Sequence, residues 1–148
     1  MPQISLITKP MSDYTNKPKL VAITQPGDYT VRIRKIRDED CTATQKGDPK
    51  IKVLMTTQDG QKINDTFYGS TDGAIKRAFA FVATATQEKG LKLPGKTTEE
   101  LRAFLSLAEG KCIKVTVVQE DVTFSSGEKR TICKVSKFHS IQEEAPNF

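Results

Sequence analysis

The stretch Pro26-Gly27-Asp28-Tyr29-Thr30-Val31-Arg32-Ile33 decides the fold class. After the turn pair Pro26-Gly27, apolar and polar residues alternate as far as Arg34. A period of two predicts a β-strand with one buried face. We expect this strand to cover 28–37 and to bend or bulge near Lys35-Ile36, where the alternation breaks.

Four further segments have the composition of strands. The ranges 50–57 and 61–68 flank Asp59-Gly60, a pair that favours a positive-φ hairpin turn. The ranges 111–119 and 130–138 flank Ser125-Ser126-Gly127, which supplies another turn. Residues 38–49 are expected to form a polar loop.

Two helices are predicted between the third and fourth strands. Ser70 or Thr71 can cap a helix over about 72–87, in which apolar residues recur at three- and four-residue spacing. The stripe comprises Ile75, Ala78, Phe79 and Val82, with Phe81 at its flank. Thr97 and Glu100 resemble a capping box before a second, short helix that Gly110 ends.

The predicted order is three strands, a helical connection and two strands. This order predicts a mainly β fold, a five-stranded Greek-key OB-fold barrel with a helical insertion between strands 3 and 4. Residues 1–26 contain Pro2, Pro10, Pro18 and Pro26 and predict an extended arm, of which Leu20, Val21 and Ile23 can dock as a short extended segment. The barrel is expected over 27–140, followed by an acidic tail over 141–148.

The sequence resembles bacteriophage-encoded OB-fold single-stranded-DNA-binding proteins. The resemblance rests on PGDYTVRI at 26–33, GDPKIKV at 47–53 and GQKINDTF at 60–67, and it covers roughly residues 26–139. It implies a non-enzymatic protein that coats strands exposed during DNA replication or recombination, in the host cytoplasm.

The charge of the chain agrees with a polyanionic partner. The 23 Lys and Arg exceed the 18 Asp and Glu, which gives a formal net charge of +5. A protein that binds single strands without sequence preference needs a basic groove with aromatic platforms for the bases. The predicted basic residues are Arg32, Arg34, Lys50, Lys52, Lys62, Lys129 and Arg130. Adjacent strands are expected to set the first four of these side by side.

Two aromatic residues are predicted to stack on bases. Phe67 and Tyr68 are neighbours on one strand and must face opposite ways, so Phe67 is expected in the core and Tyr68 on the surface. Phe124 lies in a polar turn, where packing does not explain an exposed ring. We expect the remaining aromatic residues of 27–140 to belong to the core.

The C-terminus has a second, fainter resemblance. Bacterial single-stranded-DNA-binding proteins end in an acidic tip that finishes in Pro-x-Phe or Pro-Phe, and residues 143–148 look like a shortened version. The resemblance implies a tail that binds replication or recombination proteins through Glu143, Glu144, Pro146 and Phe148. An ordinary frayed tail is the alternative.

The sequence has three other features that bear on function. Asp38-Glu39-Asp40 could hold magnesium in a nuclease, but the sequence offers no converging set of further acids, and there is no P-loop or GxSxG motif. The cysteines at 41, 112 and 133 lack CxxC spacing, so neither a zinc site nor any cofactor is expected. A module that binds another protein stays open, as does a homo-oligomer.

No apolar run is long enough to cross a bilayer and no secretory signal precedes the domain, so a cytoplasmic protein is expected.

Overall fold

A computed structural model of the chain describes residues 19–141. These residues form a mainly β structure with two helices. In chain order, the elements are β1 (Val21–Ala22), β2 (Gly27–Ile33), a 3-10 helix (Asp38–Asp40), β3 (Cys41–Ala43), β4 (Pro49–Thr56), β5 (Gln61–Tyr68), α1 (Asp72–Thr86), α2 (Thr98–Ser106), β6 (Cys112–Thr123) and β7 (Lys129–His139).

One curled sheet contains all of these strands. Its hydrogen-bonded order is β1–β5–β4–β2–β6–β7, and β3 pairs with β4. The pairs are antiparallel except β1 with β5. Strand β2 joins the two halves, because Gly27 to Arg32 pair with β6 while Arg32 and Ile33 pair with β4. The sheet curls into an open half-barrel in which β5 and β7 contact each other without pairing.

The five predicted strands and both predicted helices are present, with ends shifted by a few residues. Within residues 19–141 the sheet has two short strands, β1 and β3, beyond the five predicted. Strand β3 lies inside the segment that was expected to be a loop. Strand β1 is the predicted docking of the arm: the amides of Val21 and Ile23 donate to the carbonyls of Gly60 and Lys62.

The predicted bend at Lys35-Ile36 is wrong. Strand β2 ends at Ile33, and only the amide of Arg34 continues the pairing, by donating to the Leu54 carbonyl at 2.9 Å. The amide of Ile36 donates instead to Oε2 of Glu109 at 2.7 Å, and the side chain of Ile36 is buried. The irregular register lies between Thr116 and Val117 of β6.

Two hairpin turns share one geometry. In the β4–β5 turn the amide of Gly60 donates to the Thr57 carbonyl, and in the β6–β7 turn the amide of Gly127 donates to the Phe124 carbonyl. Both glycines have φ of +89°, a backbone conformation that other residues adopt at a cost. The Asp59-Gly60 hairpin prediction is therefore confirmed, with Gly60 alone taking the positive φ.

The helices cover the core side of the sheet. Thr71 and Thr97 are the N-caps, and their hydroxyls accept from the amides of Ala74 and Glu100. Helix α1 buries Phe81, whereas Phe79 is half-buried and stacks on Phe104 of α2 at 6.0 Å. The predicted stripe was therefore placed slightly off the true centre of the buried face. The core has a single hydrophobic cluster from both helices and the inner face of the sheet.

Candidate nucleic-acid interface

The outer face of β4, β5 and the end of β2 carries five of the seven predicted basic residues. Alternation on β4 buries Ile51, Val53 and Met55, so Lys50 and Lys52 point outward and are exposed. We call this surface the β4–β5 face. It comprises Arg32, Arg34, Thr42, Lys50, Lys52, Leu54, Thr56, Lys62, Asn64, Thr66 and Tyr68. None of these residues is acidic.

The strand register sets the order of residues across this face. Tyr68 lies opposite Lys50, and Thr66 lies opposite Lys52. At the other end of β4, Thr56 pairs with Lys62 on one side and with Arg32 on the other. Cations therefore follow the whole length of β4.

The four strand cations are not side by side as predicted. Arg32 pairs with Thr56, which is six residues along β4 from Lys50, or about 20 Å at the rise of a strand. The prediction assumed that β2 and β4 pair along their length, but they pair only where β2 ends. At Lys50 the neighbouring strand is β3 instead of β2, and the residue opposite Lys50 is Thr42. The result is an elongated track rather than a compact patch.

The cations differ in exposure. Arg34, Lys50 and Lys52 are exposed, whereas Arg32 and Lys62 are half-buried. The Arg32 Nε atom is itself buried, so this guanidinium is less accessible than a surface prediction implies. The exposed members are the better contacts for phosphates.

Tyr68 is on the surface and Phe67 is in the core, as predicted. The side chain of Tyr68 is 39% exposed, and that of Phe67 is 1% exposed and contacts Phe81 at a centroid distance of 4.7 Å. Tyr68 lines an open groove of about 580 Å³ at the end of the β4–β5 face. The groove is also lined by Thr44, Gln45, Lys46, Asp48, Ser70 and Thr71. An aromatic ring beside a lysine in an open groove can stack on a base while the lysine contacts a phosphate.

The residues of the last turn lie at the tip of the ribbon that β6 and β7 form. Phe124 is 41% exposed, as predicted, but the Arg130 guanidinium lies over its ring at 5.2 Å. Arg130 also binds both carboxylate oxygens of Glu128 at 3.2 Å. Val117 is the last residue of β6 that pairs with β2, and β6 continues for six more residues. The turn therefore lies about 20 Å along the strand from that pair. Lys129, which pairs with Thr123, and Arg130 lie on this ribbon and not on β2, β4 or β5, and their contact with nucleic acid stays a prediction.

Two arginines, Arg37 and Arg102, pair with the acidic segment at 38–40. Asp38 accepts from Nη1 of Arg102 at 2.7 Å, and Asp40 accepts from the amide of Arg37 at 3.0 Å. Glu39 lies 3.7 Å from Nε of Arg37. Within residues 19–141, no group of three or more His, Cys, Asp or Glu is placed to hold a metal ion.

The cysteines are free thiols in the described part of the chain, and each is half-buried. Burial raises the pKa of the Cys41 thiol above its ordinary value of 9.0.

Sequence reasoning missed three lysines that the structure makes relevant. Lys46 lines the groove beside Tyr68, and Lys114 and Lys137 point outward from β6 and β7. The signal for Lys114 was present, since it stands between the buried residues Ile113 and Val115. The predicted tail contacts Glu143, Glu144, Pro146 and Phe148 lie outside the described residues.

Among the described residues, neither helix is long and apolar enough to cross a lipid bilayer. Comparisons of the sequence with protein-family models and with curated proteins found no match.

Proposed function

We propose that the chain is a non-enzymatic single-stranded-DNA-binding protein with an OB-fold barrel. The observation that carries this proposal is the β4–β5 face, on which cations follow a strand for about 20 Å, no acid intervenes, and Tyr68 stands beside an open groove. A single strand presents a line of phosphates and a row of unpaired bases, and this face offers partners for both.

The order of the longer strands supports the OB-fold. Taken in chain order as strands one to five, β2, β4, β5, β6 and β7 are arranged three-two-one-four-five in the sheet, with both helices between strands three and four. A Greek-key barrel of this kind shares its first strand between the two halves, as β2 does. In such barrels strands two and three form the usual binding surface, and these correspond to β4 and β5.

The role that follows is to coat strands exposed in DNA replication or recombination, in the cytoplasm of the cell or of a phage host. No cofactor is required for this role. The acidic tail would recruit replication or recombination proteins. Asp40 and Asp38 already pair with Arg37 and Arg102, which favours a non-enzymatic role over that of a magnesium-dependent nuclease.

A protein-interaction module is the second candidate. The ribbon formed by the outer halves of β6 and β7 exposes Ile132 at 40%, and the outward-pointing Val118 and Val122 are half-buried beside it. On this face the three apolar residues pair with Lys134, Glu120 and Arg130, and a projecting ribbon that mixes apolar and charged groups offers contacts to another protein. The two candidate functions therefore belong to different surfaces.

Titration of fluorescent oligo-dT, oligo-rU and duplex DNA at several salt concentrations tests the proposal. We expect salt-sensitive binding with a preference for oligo-dT. The Lys50→Gln/Lys52→Gln variant removes two phosphate contacts. The negative slope of log K against log salt should therefore become shallower by about 1.4, at about 0.7 per contact.

The matched control is Lys89→Gln/Lys92→Gln, which removes the same charge from exposed positions in the loop between the helices. It should keep the parent slope. Absence of oligonucleotide binding by the parent protein would overturn the proposed function, and strand cleavage with magnesium would replace it with a nuclease. An unchanged slope in Lys50→Gln/Lys52→Gln would remove the β4–β5 face from it.

A further inference from the structure

A second basic surface lies on the outer face of β2, β6 and β7. Lys114 pairs with Thr30 on one side and with His139 on the other, and Thr116 pairs in the same way with Asp28 and Lys137. These six residues define the surface. Lys114 and Lys137 are exposed, and among the described ion pairs neither takes part.

The one carboxylate on this surface is held by a neighbour. The Thr116 hydroxyl lies 2.8 Å from Oδ1 of Asp28 and 2.9 Å from Nε2 of His139. A carboxylate only accepts, so the single hydroxyl proton goes to Asp28 and the hydroxyl oxygen must accept from His139. Nε2 of His139 therefore carries a hydrogen, and the ring is fixed by the Asp28–Thr116 pair.

A groove of about 500 Å³ opens beside this hydrogen-bonded chain. It is lined by Asp28, Thr84, Lys114, Phe138, His139 and Ser140. Among the lining residues the ammonium group of Lys114 is the donor suited to phosphate oxygens, because Nε2–H of His139 and the Ser140 hydroxyl already donate to Thr116 and to the Thr84 carbonyl.

The second basic surface continues the β4–β5 face. Arg32 pairs with Thr56 of β4 and with Cys112 of β6, so it belongs to both halves of the sheet. Lys114 follows Cys112 by two residues on the same face, which is about 7 Å along the strand. Lys62 and Arg32 flank Thr56 and stand about 10 Å apart across two strand spacings. Cations are thus spaced at intervals that successive phosphates can bridge.

We propose that the bound strand leaves the β4–β5 face at Arg32, crosses β2 and places further phosphates against Lys114 and Lys137, beside His139. This inference rests on the proposed function and extends its path around the outside of the sheet. Short strands bind at the β4–β5 face, where Tyr68 stacks on a base, and only longer strands reach the second basic surface.

Oligonucleotide length separates the two surfaces. We compare oligo-dT of about 4 and about 16 nucleotides, the range that single OB barrels cover. The Lys114→Gln/Lys137→Gln variant should bind the longer strand about tenfold more weakly at physiological salt. Its slope of log K against log salt should be shallower by about 1.4. Its affinity for the shorter strand should stay within twofold of the parent value. Lys89→Gln/Lys92→Gln is again the control, and circular dichroism checks the fold of each variant.

His139 provides a second readout that needs no substitution. It is the only histidine in the chain, so its imidazole proton signal in the NMR spectrum is unique. This signal should shift when the longer strand is added to the parent protein and stay in place with the shorter one.

The outcomes distinguish the two proposals. Unchanged binding of the longer strand by Lys114→Gln/Lys137→Gln, equal weakening for both lengths, or a His139 signal that the longer strand does not move would overturn the extended path while leaving the proposed function intact. If the parent protein binds neither strand, the proposed function fails and the extended path with it.

Discussion

At the scale of single residues, the pair Phe67 and Tyr68 shows how one strand supplies both core and surface. Successive side chains of a strand point to opposite faces, so the curled sheet buries one ring and leaves the other in solvent. Phe67 packs between Phe81 and Phe138, at centroid distances of 4.7 and 6.2 Å. Tyr68 lies opposite Lys50 on the outer face. Function is therefore expected from Tyr68, and stability from Phe67.

The Tyr68→Ala variant should bind oligo-dT more weakly by about 1–3 kcal/mol, because it removes one stacking platform. The slope of log K against log salt should not change, since no charge is lost. Fluorescence titration at three salt concentrations measures both quantities. Tyr68→Phe keeps the ring and should bind like the parent protein. Equal affinity of Tyr68→Ala and the parent would show that no base stacks at this position.

At the scale of elements, helix α2 depends on its first turn. It has nine residues, and isolated helices of this length are marginal in water. The Thr97 hydroxyl accepts from the Glu100 amide at 3.1 Å and lies 2.9 Å from the Glu100 carboxylate. Behind this cap, Leu101 and Leu105 are fully buried. The cap therefore helps to hold part of the core in place.

The Thr97→Ala variant should lower the free energy of unfolding by about 1 kcal/mol, because the Glu100 amide loses its acceptor. Urea unfolding followed by circular dichroism measures the change. Thr97→Ser retains the hydroxyl and should recover most of the loss, while oligo-dT affinity should be the same in all three proteins. A Thr97→Ser variant as unstable as Thr97→Ala would assign the effect to packing of the methyl group.

At the scale of the whole molecule, the gap between β5 and β7 is closed by a side chain from α1. Arg77 lies over the rings of Phe67 on β5 and Phe138 on β7, at 5.0 and 5.1 Å. Its Nη2 donates to Oδ2 of Asp65 at 2.6 Å. Asp65 is on the inner face of β5, where burial raises its pKa above the ordinary value of 3.8, against the opposing effect of Arg77.

This raised pKa predicts an unusual pH dependence. The folded state binds a proton at Asp65 more readily than the unfolded state, so this group favours folding increasingly as the pH falls from neutral through the folded pKa. The free energy of unfolding of the parent, relative to Asp65→Asn, should therefore rise between pH 7 and pH 4. Urea unfolding at both pH values measures the difference.

Asp72→Asn is a control of opposite sign. The hydrogen bond from Lys96 lowers the pKa of Asp72, so the contribution of this carboxylate is present above its unfolded pKa and is lost as the pH falls. The parent should lose its advantage over Asp72→Asn only below about pH 4, so this comparison extends to about pH 2. If the free energy of unfolding of the parent fell relative to that of Asp65→Asn between pH 7 and pH 4, the assignment at Asp65 would be contradicted.

Much of the fold was predictable because it depends on local pattern. Alternation located β2, β4 and β5, the pairs Asp59-Gly60 and Thr97/Glu100 marked a turn and a cap, and Phe67 was separated from Tyr68 by alternation alone. These features depend on residues within a few positions of one another. The segment Cys41–Ala43 escaped prediction because three residues are too few to show a period.

What only the tertiary structure decided is which strands lie beside each other and for how long. Alternation placed Arg32 and Lys50 on outward faces, but the register of β2 on β4 set them about 20 Å apart and brought Arg32 level with Cys112 instead. The pairing of β6 with β2 and with β7 likewise brought Lys114 and Lys137 together on the second basic surface. A strand's own pattern specifies its faces, whereas its partners are chosen by contacts between residues far apart in the chain.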